Sequence, residues 1–154
     1  MKYVDVKEVF AEIPDEITLA ISISGCPVRC PGCHSQYLWA DTGEELNTEA
    51  LDTMLSSHFG VTCICFMGGD QDPAGINRLA GWVRQHCKVR IAWYSGRDQL
   101  HPAIELANFD YLKVGRYDSA LGPLNDRNTN QVLWHVIHNG EKHELSNITQ
   151  RFWK

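Results

Sequence analysis

Three cysteines within eight residues form the strongest chemical pattern in this sequence. Cys26, Cys30 and Cys33 have the spacing C-x3-C-x2-C and directly follow an apolar run. Prolines and glycines alternate with them, which indicates a loop rather than a helix or strand. Thiolates are soft ligands that select zinc or iron–sulfur clusters. The pattern therefore predicts a loop that directs three thiolates at one metal centre.

Two metal centres and one structural role compete for these thiols. A structural zinc site takes four protein ligands, and His34 would supply the fourth, but two adjacent ligands at Cys33 and His34 are hard to aim at one tetrahedron. A [4Fe–4S] cluster usually takes four cysteines, so three would leave one iron open to another ligand. Three structural thiols without metal are the third reading. We favour the cluster, because an open metal position is what chemistry requires.

Small or charged residues follow, or lie within, three other predicted strands. Gly68 and Gly69 would let a ligand approach the backbone, and Asp70 could pair with an ammonium group. The hydroxyl of Ser95 suits a ribose or carboxylate contact. In both places a plain turn is the alternative. Lys113 lies in an apolar strand, where an unpaired ammonium would be costly and a bound carboxylate would neutralise it.

The elements that would position these residues alternate between apolar runs and helical patterns. Strands are predicted at 17–23, 61–67, 89–94, 111–114 and 132–137, with an extended segment at 3–13. Helices are predicted at 48–59, from 73 onward after a cap at Asp72, and at 102–107. This alternation is typical of right-handed βαβ units, in which ligands bind at the carboxyl ends of the strands. The sheet would be doubly wound or curled into a partial barrel.

Composition and charge narrow the class of protein. The chain has 154 residues and 17.5 kDa, which suits one domain spanning 1–154. With 14 basic and 19 acidic residues the net charge is −5, which argues against nucleic-acid binding. Apolar runs stay well short of about 18 residues and residues 1–7 lack a signal-peptide core, so we expect a cytoplasmic protein without a membrane partner. Its six cysteines then need a reason other than disulfides.

The cysteine spacing after the first strand of the alternation resembles that of the radical S-adenosylmethionine enzymes. The resemblance implies that Cys26, Cys30 and Cys33 bind three irons of a [4Fe–4S] cluster, while S-adenosylmethionine chelates the fourth. In that superfamily one electron from the cluster releases a 5′-deoxyadenosyl radical.

Further site residues come from the same resemblance. Gly68, Gly69 and Asp70 resemble the superfamily's Gly-Gly-Glu-Pro motif, which holds the cosubstrate's amino group, with Asp70 in place of Glu. A lysine near the position of Lys113 meets the cosubstrate's carboxylate in related activases. Many members have an aromatic residue just before the third cysteine, near the adenine, and this chain has glycine there. His34 is therefore assigned as a candidate cofactor contact, with Tyr37 as a second.

A narrower resemblance rests on residues 9–17, 23–39, 110–115, 121–124 and 129–131. These stretches look like the activating proteins of anaerobic ribonucleotide reductase, over roughly residues 3 to 134. The resemblance implies generation of a glycyl radical on a glycine-bearing loop of that reductase, with an electron from a cytosolic donor such as flavodoxin. For the fold we predict the α/β class, an incomplete (βα) barrel with a mostly parallel sheet of about five or six strands.

Two alternative functions and two groups of residues complete the analysis. A radical S-adenosylmethionine enzyme acting on another glycyl-radical partner or a small molecule is the first alternative, and a zinc module binding RNA or protein is the second. Cys63, Cys65 and Cys87 are expected to be structural thiols. The remaining histidines are predicted to be surface or packing residues, namely His58, His86, His101, His135, His138 and His143.

Overall fold

The computed structural model describes residues 1–33 and 35–153. Eight strands and two α-helices lie in this part of the chain. The strands are β1 (Lys2–Val9), β2 (Thr18–Ile23), β3 (Glu44–Glu45), β4 (Cys63–Met67), β5 (Arg90–Tyr94), β6 (Tyr111–Val114), β7 (Val132–Asn139) and β8 (Lys142–Asn147). The helices are α1 (Thr48–Ser57) and α2 (Pro73–His86), with short 3-10 helices at Gln36–Trp39, Leu106–Asn108 and Thr149–Phe152.

All eight strands form one mixed sheet in the order β3-β1-β2-β4-β5-β6-β7-β8. At its centre β2, β4, β5 and β6 pair in parallel. At its two sides β3, β1 and β2 pair antiparallel, as do β6, β7 and β8. In the described residues four of the seven pairings are thus antiparallel. The prediction of an incomplete (βα) barrel with a mostly parallel sheet is wrong.

The small number of helices explains the mixed sheet. Parallel neighbours need a long crossover, usually a helix, whereas antiparallel neighbours need only a turn. Apart from 3-10 turns, the described chain supplies α1 between β3 and β4 and α2 between β4 and β5. Residues 102–107, predicted as a helix, instead lead into the 3-10 helix Leu106–Asn108. β6 still pairs parallel to β5, but no α-helix follows it in the described residues, and β7 and β8 turn back antiparallel.

The predicted strands and the two longer predicted helices are confirmed, and each end that was predicted lies within two residues of the observed end. The reason is local. Asn47 caps α1 by accepting from the Ala50 N–H at 2.9 Å, and Asp72 caps α2 by accepting from the Gly75 N–H at 3.0 Å. Pro73 occupies the start of α2, where its missing N–H costs nothing. Within the described residues no helix has the length and apolar character needed to cross a bilayer.

The two faces of the sheet are covered differently. One face packs against α1 and α2 through a large apolar core that includes Ile21, Phe66, Ile76, Leu79 and Trp93. Burying one such side chain stabilises the fold by about 1.5–3 kcal/mol. The second face carries a smaller cluster, in which Ile13 from the β1–β2 loop and Ile148 after β8 cover Cys63, Cys65, Ala92, Tyr111 and Leu133. Toward the carboxyl ends of the parallel strands this second face borders an open cavity.

Candidate metal centre

The cysteine loop starts where β2 ends, and its entry is fixed by hydrogen bonds. Ser24 is fully buried; its N–H donates to the Lys2 carbonyl at 3.0 Å and its hydroxyl to the Thr42 carbonyl at 2.5 Å. The Cys26 N–H then donates to the Leu38 carbonyl at 2.9 Å. The first cysteine is therefore held between β2 and the segment that follows the loop.

Between the first and third cysteines, two residues in left-handed backbone conformation turn the loop. Arg29 has φ 50° and Gly32 has φ 74°. Glycine adopts this conformation without cost, but a residue with a side chain pays roughly 1–2 kcal/mol. The Arg29 guanidinium lies over the Trp39 ring, 5.7 Å from its centroid, and this contact offsets part of that cost. The Cys33 N–H donates to the Cys30 carbonyl at 3.1 Å and closes the second turn.

The three loop thiols are free and only partly shielded from solvent. Cys30 is buried, whereas Cys26 and Cys33 are half-buried. The Ser35 N–H donates to the Cys33 sulfur at 3.3 Å. Backbone N–H donors to cysteine sulfur are among the features that tune iron–sulfur clusters. The donor set and its hydrogen bonding therefore fit such a cluster.

Lys113 places a buried cation beside these thiols. Its Nζ donates to the carbonyls of Ser95 at 3.1 Å and Gly115 at 2.8 Å. Burial lowers its pKa to about 8, and the nearby Asp70 and the three loop cysteines oppose this shift. All three cysteines therefore lie within electrostatic reach of one ammonium group. A positive charge in this position favours the negative charge that a thiolate-ligated cluster carries.

Asp70, Ser95 and Lys113, predicted separately from the sequence, are brought together at one edge of the sheet. The buried Asp70 carboxylate accepts from the Ser95 hydroxyl at 2.5 Å and from the Gly96 N–H at 2.8 Å. The Ser95 carbonyl in turn accepts from Lys113. Ser95 thus connects the acidic and the basic residue. Both carboxylate oxygens of Asp70 therefore accept hydrogen bonds from donors of the protein itself.

The glycine pair before Asp70 has a structural explanation of its own. Gly68 and Gly69 have φ 108° and 94°, a region that side chains disfavour. A Cβ at residue 69 would lie 2.6 Å from the Ile76 side chain, which belongs to the core beneath α2. A Cβ at residue 68 would lie 3.0 Å from the Ile23 carbonyl. The tight turn alone requires both glycines, and the ligand contact remains a prediction.

Gln71 belongs to the site although sequence reasoning missed it. Its side-chain amide donates to the Ser24 carbonyl at 2.9 Å and packs near Gly25. This bond ties the turn after β4 to the start of the cysteine loop. Its position right after the Gly-Gly-Asp turn was the only available signal.

An open cavity of about 850 Å³ lies against the second face of the sheet. This volume is within the range of small-molecule sites. Cys33 and Lys113 both line it, next to Met67 and Tyr94. The opposite wall comes from the β1–β2 loop, the loop before β7 and the C-terminal 3-10 helix, and includes Phe10, Glu12, Pro14, Leu124 and Phe152. A ligand in this cavity would therefore contact both a loop thiol and the buried ammonium.

The other cysteines differ chemically from the loop. Cys63 and Cys65 are fully buried in β4, and burial raises the pKa of both thiols well above the ordinary value. Burial also raises the pKa of the half-buried Cys87. Protonated thiols of this kind pack as small apolar groups.

A site for one metal ion with three protein ligands is not found in the part of the chain that the structure describes. There, no three side chains of His, Cys, Asp or Glu converge on one metal ion. A four-iron cluster places each cysteine on a separate iron, so its thiols need not converge in this way. His34, which was predicted as a cofactor contact and was also weighed as a zinc ligand, lies outside the described residues.

A three-thiol loop beside a buried cation and an open cavity defines an iron–sulfur protein. Residues 17–133 match the 4Fe-4S single cluster domain family, and this span contains all three loop cysteines. Because the match covers more than half of the 154 residues, the chain belongs to that family. No curated protein and no solved structure gave a match.

Proposed function

We propose that this protein is a radical S-adenosylmethionine activase that generates a glycyl radical on anaerobic ribonucleotide reductase. Cys26, Cys30 and Cys33 would hold its [4Fe–4S] cluster. The observation that carries the proposal is the placement of three free loop thiols beside a buried lysine at an open cavity. When bound, the cluster supplies the single electron that cleavage of the cosubstrate's sulfonium bond requires.

Lys113 is suited to hold the carboxylate of S-adenosylmethionine. An ammonium group has three N–H donors, and its two described bonds go to the carbonyls of Ser95 and Gly115. The third donor would meet the cosubstrate's carboxylate in the cavity that Lys113 lines. Such a bond would offset the cost of burying the ammonium.

Asp70 and Ser95 would position Lys113 for this contact. The Asp70 carboxylate fixes the Ser95 hydroxyl and the Gly96 N–H, and the carbonyl of the same serine positions Lys113. The backbone of Gly68 and Gly69 forms the adjoining turn and would receive the cosubstrate's amino group. His34 stays a predicted contact of the cosubstrate, with Tyr37 as the alternative.

The outer wall of the cavity suits a peptide substrate. Phe10 is 70% exposed, and Pro14, Leu124 and Phe152 continue its apolar surface. A glycine has no side chain to block a close approach, so a glycine-bearing loop of the reductase would fit between this wall and the cosubstrate. An electron donor such as flavodoxin would act from outside.

The test uses protein reconstituted anaerobically with iron and sulfide. After reduction and mixing with S-adenosylmethionine and the reductase, electron paramagnetic resonance should show a doublet radical on the reductase. A reductase with the target glycine changed to alanine should allow cosubstrate cleavage but give no stable radical.

Three results would contradict the proposal in different ways. Radical transfer only to a metabolite would favour a small-molecule enzyme. Activity on a different glycyl-radical protein would keep the chemistry and change the partner. A colourless protein that contains zinc and no iron would favour the binding module.

A further inference from the structure

A chain of polar contacts lies at the amino ends of the parallel strands, away from the cysteine loop. Arg84 on α2 donates to Asp110 Oδ2 at 3.1 Å. Asp110 Oδ1 lies 3.2 Å from His138 Nε2 on β7. His138 Nδ1 lies 2.7 Å from His143 Nδ1 on β8. Two imidazole rings are therefore linked to a carboxylate that is only 8% exposed.

Asp110 determines which nitrogen of His138 carries the proton. The carboxylate also accepts from Arg84 and from the Ile91 N–H at 2.9 Å, so its oxygens act as acceptors. His138 Nε2 must therefore donate to it. In the neutral imidazole the lone pair is then on Nδ1, the atom directed at His143.

His143 faces His138 across the β7–β8 pairing. The two residues are direct register partners, with ring centroids 4.9 Å apart and planes at 76°. With His138 Nδ1 as acceptor, the short contact holds one proton donated by His143 Nδ1. The two nitrogens thus share a single proton at a place where a metal ion could bind both.

We propose that His138 and His143 form a site for one divalent zinc ion, bound through the two Nδ1 atoms and completed by water. Imidazole nitrogen is a preferred zinc ligand. On binding, the proton of His143 would move from Nδ1 to Nε2 through solvent, so that both rings stay neutral and both Nδ1 lone pairs face the metal. Asp110 would act as the outer carboxylate that orients a metal-bound histidine.

The geometry requires only a small adjustment. Zinc–nitrogen bonds of about 2.0–2.1 Å at tetrahedral angles place two ligand nitrogens roughly 3.3 Å apart. The rings would have to separate by about 0.6 Å from their present contact. The His138 side chain is 30% exposed, so water reaches the site and the ring has room to turn. With two protein ligands the site should exchange its metal readily.

A bound ion would link three parts of the fold. The β7–β8 hairpin carries both rings, Asp110 precedes β6, and Arg84 belongs to α2. The segment after β8 supplies Ile148, which covers the second face of the sheet. Zinc would therefore stabilise the hairpin that positions this cover, by an amount that follows the metal concentration.

The experiment measures zinc binding by isothermal titration calorimetry on protein whose accessible cysteines are alkylated. Blocking the thiols makes the result independent of the cluster and of the proposed activity. The alkylated protein should bind one equivalent of zinc, and His143→Ala should weaken binding at least tenfold. His58→Ala is the matched control, because His58 contacts the Glu8 carboxylate at 2.8 Å and no imidazole among the described residues pairs with it. This control should bind zinc as the parent does.

A second readout identifies the ligands directly. Cu²⁺ in place of zinc should show nitrogen hyperfine splitting in its electron paramagnetic resonance spectrum, and His143→Gln should reduce the number of coupled nitrogens by one. If His143→Ala does not fold, the milder His143→Gln replaces it in the titration. Two results would overturn the proposal. One is that the alkylated protein shows no saturable zinc binding, and the other is that the His143 variant binds zinc as tightly as the parent.

Discussion

Each end of the parallel strands holds one buried aspartate, but the donors around the two carboxylates differ in kind. At the carboxyl ends, Asp70 accepts from a serine hydroxyl and a backbone N–H, both neutral. At the amino ends, Asp110 accepts from Arg84 and a backbone N–H and contacts His138. Glu16 is paired in the same region with Arg90 at 2.9 Å.

This difference in donors distinguishes carboxylates that stabilise the fold from charged groups that are placed to meet a ligand. At the amino ends the chain pairs its buried carboxylates Asp110 and Glu16 with its own cations Arg84 and Arg90. At the carboxyl ends Asp70 and Lys113 bond to neutral partners, and Lys113 keeps its positive charge beside the cavity. A ligand that carries a carboxylate, as the methionine part of the proposed cosubstrate does, would complement this charge.

The largest expected effect comes from the cysteines at the two ends. Cys30→Ala in the loop should abolish cluster assembly, because three ligands leave none to spare. Cys63→Ala, at the start of β4, should leave iron and sulfide content unchanged. Iron and sulfide analysis of the two reconstituted variants makes the comparison. Iron loss in Cys63→Ala equal to that in Cys30→Ala would show that the ligands are misassigned.

The second-largest effect should come from the ammonium group of Lys113, at the carboxyl ends of the parallel strands. The pKa of Lys113 is lowered to about 8 in the folded chain, so between roughly pH 8 and 10.5 the unfolded chain binds more protons. This residue should therefore make the cluster-free protein more stable as pH rises through that window, by on the order of 3 kcal/mol. Lys113→Met should lack this rise in urea unfolding measured at each pH.

Other alkaline titrations act on both proteins, so the difference between parent and Lys113→Met carries the prediction. Identical pH dependence in the two proteins would mean that Lys113 is solvated. A falling difference would reverse the sign and point to a lysine stabilised in its charged form.

Matched substitutions of the two aspartates should separate their roles. Asp110→Asn should cost about 2 kcal/mol of unfolding free energy, because the partly exposed Arg84 loses its ion pair. Asp70→Asn should cost about 1 kcal/mol, since one hydrogen bond to a neutral donor is lost. Binding of S-adenosylmethionine to reconstituted protein should be weakened more by Asp70→Asn. Equal effects of both variants on unfolding and on binding would remove the distinction between the two ends.

The smallest effect should come from Gln71, which links the turn after β4 to the cysteine loop. Gln71→Ala removes the bond to the Ser24 carbonyl and should cost about 1 kcal/mol. Gln71→Glu serves as the control of similar size that replaces the donor with an acceptor and should be worse. Cluster lifetime in air, followed by its absorbance, should shorten in both variants. Unchanged lifetimes would show that the link does not hold the loop.

Local features of this fold were predictable from sequence, and long-range ones were not. The strands at 61–67 and 89–94 were recognisable because both lie in the sheet's interior and are largely apolar. The start of α2 was marked by Asp72 and Pro73. In contrast, β8 is largely exposed and polar, so its composition resembles that of a loop. The direction of pairing depends on contacts between distant segments, which explains the wrong barrel prediction.

The same distinction applies to the sites. The cysteine loop is a local motif, and its spacing predicted a cluster that the family match supports. The individual assignments of Asp70, Ser95 and Lys113 stay predictions, although the structure places these residues together. Asp110 was given no role of its own from the sequence. Its partners Arg84 and His138 are 26 and 28 residues away, beyond the reach of any local pattern.

The exposed position of β8 at one border of the sheet has a consequence for self-association. A border strand offers unpaired backbone groups to any other strand, and charged side chains are a common defence against such pairing. Lys142 and Glu144 provide this defence, since both are exposed on β8. Replacing both with valine would leave Leu145 in an uncharged β-prone stretch. Such a protein would be expected to form strand-to-strand aggregates at concentrations where the parent remains dispersed.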